Sequence, residues 1–347
     1  MNPEKEKAPS MLQTPLRFTP LFRKYLWGGR RLQTSLGKSI GPEGNYAESW
    51  EIVDHGPDQS IVLAGEWAGQ SLNEILMKEG EALLGRDFEQ WSQTHQIKGL
   101  GKRFPLLFKF LDCHRPLSVQ VHPNDAQASN LSSPDLGKTE AWVVLEAVPG
   151  SKVFAGLRSG IGKADLAKAV TAGRTEEMLH CFEPQAGDCI FIPAGTVHAL
   201  GAGLVIAEIQ QASDTTFRLF DWNRLDASGK SRPLHIAQSL KVIDETSGPV
   251  DPVAVTVEES GLETLVSCDK FVLRRRQLSS HLSSHLTLGG DDRMRILVSV
   301  EGSCSLKDDP SGQPLKRGQT VLVPAAAGEL AIELETATAC LLEITLS

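Results

Sequence analysis

The sequence has little that would mark it for a special environment. Its six cysteines, at positions 113, 181, 189, 268, 304 and 340, form no C-x-x-C pair and no tight cluster. That spacing argues against a disulfide scaffold and a zinc finger, and for free thiols in a reducing compartment. No run approaches the roughly 18 apolar residues of a membrane helix. The opening MNPEKEKAPSM is polar and lacks the apolar centre of a signal peptide. Positive charge is also short: 35 Lys and Arg stand against 43 Asp and Glu, a formal charge of −8. Generic nucleic-acid binding and docking on an anionic membrane are therefore not expected, and a cytoplasmic location is. An anionic small molecule stays open, because a few local Lys and Arg reverse the field inside a cleft.

What is present is an ordinary globular composition, 41% hydrophobic and 22% charged over 347 residues. That length suffices for two cores or one elaborated one. Residues 1–15 read as a disordered tail. Short strand-like runs broken by Gly and Pro follow, among them YLWGG (25–29) and AESWEIVD (47–54). A helix is announced by Ser71 and Glu74, a capping box, with Leu72, Ile75, Leu76, Leu83 and Leu84 on its buried face. Helical character is expected over about 71–100 and again over 160–183. In the second stretch Leu166, Ala167 and Val170 keep helical spacing, and 175–182 offers a short second helix. Between and after them lie strands at FPLLFKFLD, PLSVQVH, EAWVVLEAV, VFAGL, 186–211 and TTFRLFDW. Pro233 is expected to open a last helix with Leu234, Ala237, Leu240 and Lys241 spaced along it.

Beyond the linker SGPVDPVAV (247–255) the tail repeats an earlier plan. AWVVLEAVPGSKVFAG followed by AGDCIFIPAGTVHAL is echoed by RILVSVEGSCSLKD and KRGQTVLVPAAAGEL. Both run strand, Gly turn, strand, Gly turn, strand, then Val/Ile-Pro-Ala, which indicates β-sandwiches or jelly rolls. The second copy has AAAGEL where the first has His198, so one copy holds a site and the other lacks it. The division expected is 16–250 and 251–347.

The chemistry concentrates in the first copy. In LSVQVHP, Gln120 and His122 point to one side of a strand. Glu140 opens the next strand in GKTEAW, and His198 follows a Pro-Ala-Gly turn. Two imidazoles, a carboxylate and an amide suit Zn²⁺ best, with Fe²⁺, Mn²⁺, Co²⁺ and Ni²⁺ as alternatives. Lys109, inside FPLLFKFLD, either snorkels from an edge or faces a polar cavity. Lys138 shares the face of Glu140 if its strand extends back. Arg218 alternates with Phe217 and Leu219; its bland reading is a sheet arginine paired with Asp214 or Asp221.

The pattern H-P…E…P-x-G-x-x-H resembles the cupin double motif. In order, LSVQVHP, GKTEAW, PAGTVHAL and EIQQASDTTFRLFDW resemble type I mannose-6-phosphate isomerase, in its short bacterial form, over about residues 16–245. The resemblance implies a mainly β fold of two cupin-type jelly rolls with a small helical insertion. It implies one zinc held by Gln120, His122, Glu140 and His198. It places the family's catalytic arginine at Arg218, its active-site lysines at Lys109 and Lys138, and its N-terminal Trp and Glu at Trp27 and Glu48. Ser118 then falls where the family meets the substrate phosphate. One departure is Leu200, where larger members carry Tyr.

The implied reaction is aldose–ketose isomerisation of mannose 6-phosphate and fructose 6-phosphate through an enediol(ate), by a monomer or weak homodimer. Arg218 suits charge stabilisation better than proton abstraction. Lys138, a metal-bound water or Glu48 remain as bases. Competing readings are an isomerase of another sugar, a non-catalytic cupin sugar sensor, and a cupin dioxygenase.

Overall fold

The computed structural model describes residues 12–94, 101–226, 228–255, 261–281 and 285–347. Its strands form four principal sheets, all antiparallel. A six-stranded sheet runs in the order Leu21–Gly29, Tyr46–Ile52, Leu106–Cys113, Leu204–Gln211, Glu140–Ala147, Cys189–Ile192. Facing it is a five-stranded sheet ordered Phe217–Phe220, Val119–Val121, His198–Leu200, Val153–Leu157, Leu179–Phe182. Leu111, Trp142, Val144, Ala155, Ile190 and Ile206 fill the space between them.

The six-stranded sheet is buried on its other face too. There Phe108, Phe110, Ala141, Val143, Ala207 and Ile209 join one cluster with helix Leu72–Leu84 and with the C-terminal strands. This is why FPLLFKFLD reads as a nearly unbroken apolar run: alternation has apolar surroundings on both sides. Asp112 closes the run, and the one charge inside it, Lys109, points inward with Leu111, to the interior of the first sandwich.

The C-terminal strands make a second sandwich. Its five-stranded sheet (Leu262–Ser267, Phe271–Ser279, Thr338–Leu346, Arg295–Glu301, Thr320–Val323) faces the first. Its four-stranded sheet (His285–Gly289, Glu329–Leu334, Ser303–Leu306, Leu315–Lys316) lies outermost. Phe271, Leu273, Ile296, Val298, Leu342 and Ile344 belong to the cluster shared with the first sandwich. No helix among the described residues is long and apolar enough to cross a membrane.

The Ser71 capping box forms, with Glu74 as its second member. All five apolar residues expected on that helix are buried. The expectation over 95–100 lies outside the described residues. Three expectations need correction. Leu12, within the supposed tail, is fully buried, and the Leu16 and Leu322 backbones bond each other. Residues 179–182 are a strand, not helix: only Thr175–Met178 makes a 3₁₀ turn, and Leu179–Phe182 pairs with Val153–Leu157. The last helix spans Ile236–Val242, three residues after Pro233, and buries Ser239 and Val242 while Leu234 is exposed. The chain before it is held against a strand edge, the His235 N–H donating to the Arg218 carbonyl at 2.7 Å.

Candidate functional site

The polar residues of the first sandwich meet where the two sheets face each other. His198 lies directly across from Gln120, and Gln120 directly across from Arg218. Glu140 begins its strand in the opposing sheet. The result is a compact group: Glu140 Oε1 is 3.3 Å from His198 Nε2, and its Oε2 is 3.6 Å from His122 Nε2. Gln120 Nε2 is 3.3 Å from His198 Nε2. His122, Glu140 and His198 are buried, and no other such cluster of His, Cys, Asp and Glu occurs among the described residues.

Each imidazole is oriented from behind. His122 Nδ1 donates to the Thr215 carbonyl at 3.0 Å and His198 Nδ1 to that of Thr196 at 2.9 Å. Asp135 fixes the loop carrying Thr215, accepting from Ser213 Oγ and Thr215 Oγ1. Both Nε2 atoms are thereby left to face Glu140, the arrangement in which imidazoles ligate metals. His122 Nε2 and Glu140 Oε2 are buried with no hydrogen-bond partner. Burial, with Lys138 and His198 nearby, holds the His122 pKa well below the usual imidazole value. Burial also brings that of His198 down to about 4. Neutral rings, an ionisable carboxylate and orphaned donor atoms fit a divalent cation. The turn after the strand is tied in place: the Gly195 N–H donates to the His122 carbonyl, and Lys138 N–H to that of Pro123.

A cavity of about 270 Å³ opens onto this group. Trp27, Glu48, Lys109, Ser118, Lys138 and Arg218 all line it, as do Gln120 and Glu140. Lys109 does not snorkel. It is buried, 3.3 Å from Glu208 and 3.7 Å from Glu48. Burial works against its charge, but Glu208, Glu48, Glu140 and Asp214 outweigh it and raise its pKa above the ordinary lysine value. Lys138 stands 3.6 Å from Glu140 Oε2. Arg218 makes no carboxylate contact among the described residues, so the bland alternative, a pair with Asp214 or Asp221, does not form. Asp221 is instead taken by Arg224 and Arg232. Arg218 Nη1 donates to the Pro233 carbonyl at 3.0 Å, while Nε is buried without a partner. Leu200 forms apolar wall.

The sequence reading missed Glu208, Arg232 and Tyr25 and weighed Asp214 only as a partner of Arg218; all four line the same cavity. Glu208 had a signal: it interrupts the apolar LVIAEIQQ, and its register partner is Lys109. Burial raises its carboxyl pKa, against the opposing pull of Lys109.

With this geometry in view, comparisons with known proteins agree among themselves. A family model described as phosphomannose isomerase type I, catalytic domain, matches residues 16–139. The chain is 34% identical over 331 residues to mannose-6-phosphate isomerase ManA of Bacillus subtilis, covering 93% of this chain and 97% of that protein. It is 35% identical over 316 residues to mannose-6-phosphate isomerase of Streptococcus mutans, covering 89% and 92%. The crystal structure of the mannose 6-phosphate isomerase from Bacillus subtilis superposes with a TM-score of 0.82 at 29% identity, over 96% of this chain and 99% of that one.

Proposed function

We propose a mannose-6-phosphate isomerase activity, and the premise is the family: the chain belongs to the type I mannose-6-phosphate isomerases. It interconverts mannose 6-phosphate and fructose 6-phosphate. The observation that carries the reading is the buried His122–Glu140–His198 group at the end of a sugar-sized cavity lined by Arg and Lys. Gln120, His122, Glu140 and His198 would hold the cation, which we take to be Zn²⁺ from the two imidazoles, carboxylate and amide. Bound there, it supplies Lewis acidity to neighbouring carbonyl and hydroxyl oxygens.

The residues of the chain do the rest. Moving a proton between C1 and C2 puts negative charge on oxygen in the transition state. Arg218 stays protonated at any working pH although burial and Arg232 lower its pKa, and it stabilises that charge. Lys109 is held as an ammonium, which makes it a donor and removes it as the base. Glu48, Lys109 and Glu208 form a coupled array whose carboxylates share one cation, and we assign the acid–base work to this array together with Lys138. Ser118 and Trp27 are assigned to the substrate, the first as a polar contact and the second as wall. The six free cysteines accord with a reducing, cytoplasmic setting.

The test is formation of fructose 6-phosphate from mannose 6-phosphate by metal-replete protein, repeated after chelation and after Zn²⁺ is restored. Activity that disappears and returns supports both enzyme and metal. A Zn²⁺-loaded protein that forms no fructose 6-phosphate refutes the isomerase reading.

A further inference from the structure

The cavity has two chemically different ends. At the metal-site end, Lys109 and Lys138 are matched by Glu48, Glu140 and Glu208. Farther from it, beyond Arg218, Arg224 and Arg232 share the carboxylate of Asp221. The local excess of positive charge is therefore at the end away from the His–Glu group.

The strand register measures that separation. From His198 the sheet steps to Gln120 and then to Arg218 on the edge strand. Beyond that edge runs residues 232–235, bonded to Arg218 through the His235 N–H and the Pro233 carbonyl. Neighbouring strands lie about 4.8 Å apart, so this segment sits roughly 10 Å from Gln120, one station farther than Arg218. An open-chain hexose phosphate with C1 and C2 at the metal end carries its phosphate four carbons beyond C2, toward this segment.

Arg232 is built to meet an anion there. Asp221, itself buried, accepts from its Nε at 2.8 Å and its Nη2 at 2.6 Å, which fixes the plane of the guanidinium. Nη1 has no partner among the described residues, and the side chain lines the cavity at 29% exposure. Arg224 differs: it is bound to Asp221 and the Pro116 carbonyl and does not line the cavity. We propose that Arg232 recognises the substrate phosphate and determines the preference for phosphorylated sugar. This rests on the isomerase reading and adds a residue to it.

Arg232→Gln, with Arg232→Lys beside it, tests the assignment. We expect KM for mannose 6-phosphate to rise at least about tenfold in R232Q with kcat changed by less than about threefold. Zn²⁺ content should match wild type. The inhibition constant of inorganic phosphate should rise with KM, and the preference for mannose 6-phosphate over mannose should fall by a similar factor. R232K should lie between, since it keeps the charge and loses the fork. A residue that only braces Asp221 would lower the melting temperature and leave KM and phosphate inhibition unchanged; that result overturns the proposal. Should R232Q not fold, unchanged KM and phosphate inhibition in R232K overturn it. Thermal protection by inorganic phosphate separates the two readings. If wild type makes no fructose 6-phosphate yet phosphate stabilises it and not R232Q, the isomerase reading fails and the anion site stands.

Discussion

Arg218 shows how a side chain's neighbours decide its role. Its strand position suggested two uses, an ion pair with a nearby aspartate or a charge facing a cavity, and spacing alone could not choose. Asp221 is claimed by two other arginines, so Arg218 is left with backbone contacts and an unpartnered Nε. Arg218→Ala should therefore lower kcat about 100-fold or more, a loss of roughly 3 kcal/mol of barrier stabilisation, with Zn²⁺ content unchanged. Arg218→Lys should not restore full activity, because an ammonium lacks the planar fork. Steady-state kinetics with metal analysis checks both, and a stable, Zn²⁺-replete R218A turning over at the wild-type rate would end the assignment. Strand periodicity put Gln120 and His122 on one face, whereas Glu140 and His198, on other strands, joined them through the motif pattern and the family resemblance. Glu208 stood out as a charge in an apolar run, but its place in the site did not, because its partner Lys109 sits about a hundred residues away and only the sheet register joins them.

At the level of elements, turns carry as much of the site as strands do. Gly195 in the Pro-Ala-Gly turn has φ of +90°, and a Cβ there would stand 3.0 Å from that of Asp244 and 3.2 Å from the Val242 carbonyl. The same residue bonds the His122 carbonyl through its N–H and accepts from Asp244 N–H, so it links one ligand's strand to the helix Ile236–Val242. Gly195→Ala should cost about 1–3 kcal/mol of stability and should reduce bound Zn²⁺. Gly173→Ala is the control: its φ is +69° with open space around it, so it carries backbone strain without the clash. Equal Zn²⁺ occupancy in the two variants by atomic absorption would show that the turn does not position the ligands. This turn was readable from Pro, Ala and Gly in sequence. The short strand Leu179–Phe182 was not, since four residues give too little periodicity to tell strand from helix and its pairing partner decides.

For the whole molecule, the sequence repeat pointed to two β units, and the structure adds how they meet. The six-stranded sheet of the first and the five-stranded sheet of the second bury their facing sides in one cluster that also takes in helix Leu72–Leu84. A chain ending at Val255 would leave Phe108, Phe110, Ala207 and Ile209 without that cover. It is expected to be unfolded or aggregated, read by circular dichroism and gel filtration, although no residue of the metal group is removed. A monomeric, cooperatively melting 1–255 fragment would contradict this. The repeat could not reveal the shared face, because apolar residues on both sides of a strand look alike in sequence whichever layer covers them.

Because the two sandwiches share that cluster, ion binding in the first is expected to stabilise the second as well. An ion that binds only the native state stabilises it by about 4 kcal/mol at a concentration a thousand times its dissociation constant. In a molecule with separable domains that free energy would stay in the domain that holds the ligands. Here the shared cluster would pass part of it on, so the outer sandwich, which contributes nothing to the metal group, is expected to melt at a higher temperature when the ion is bound.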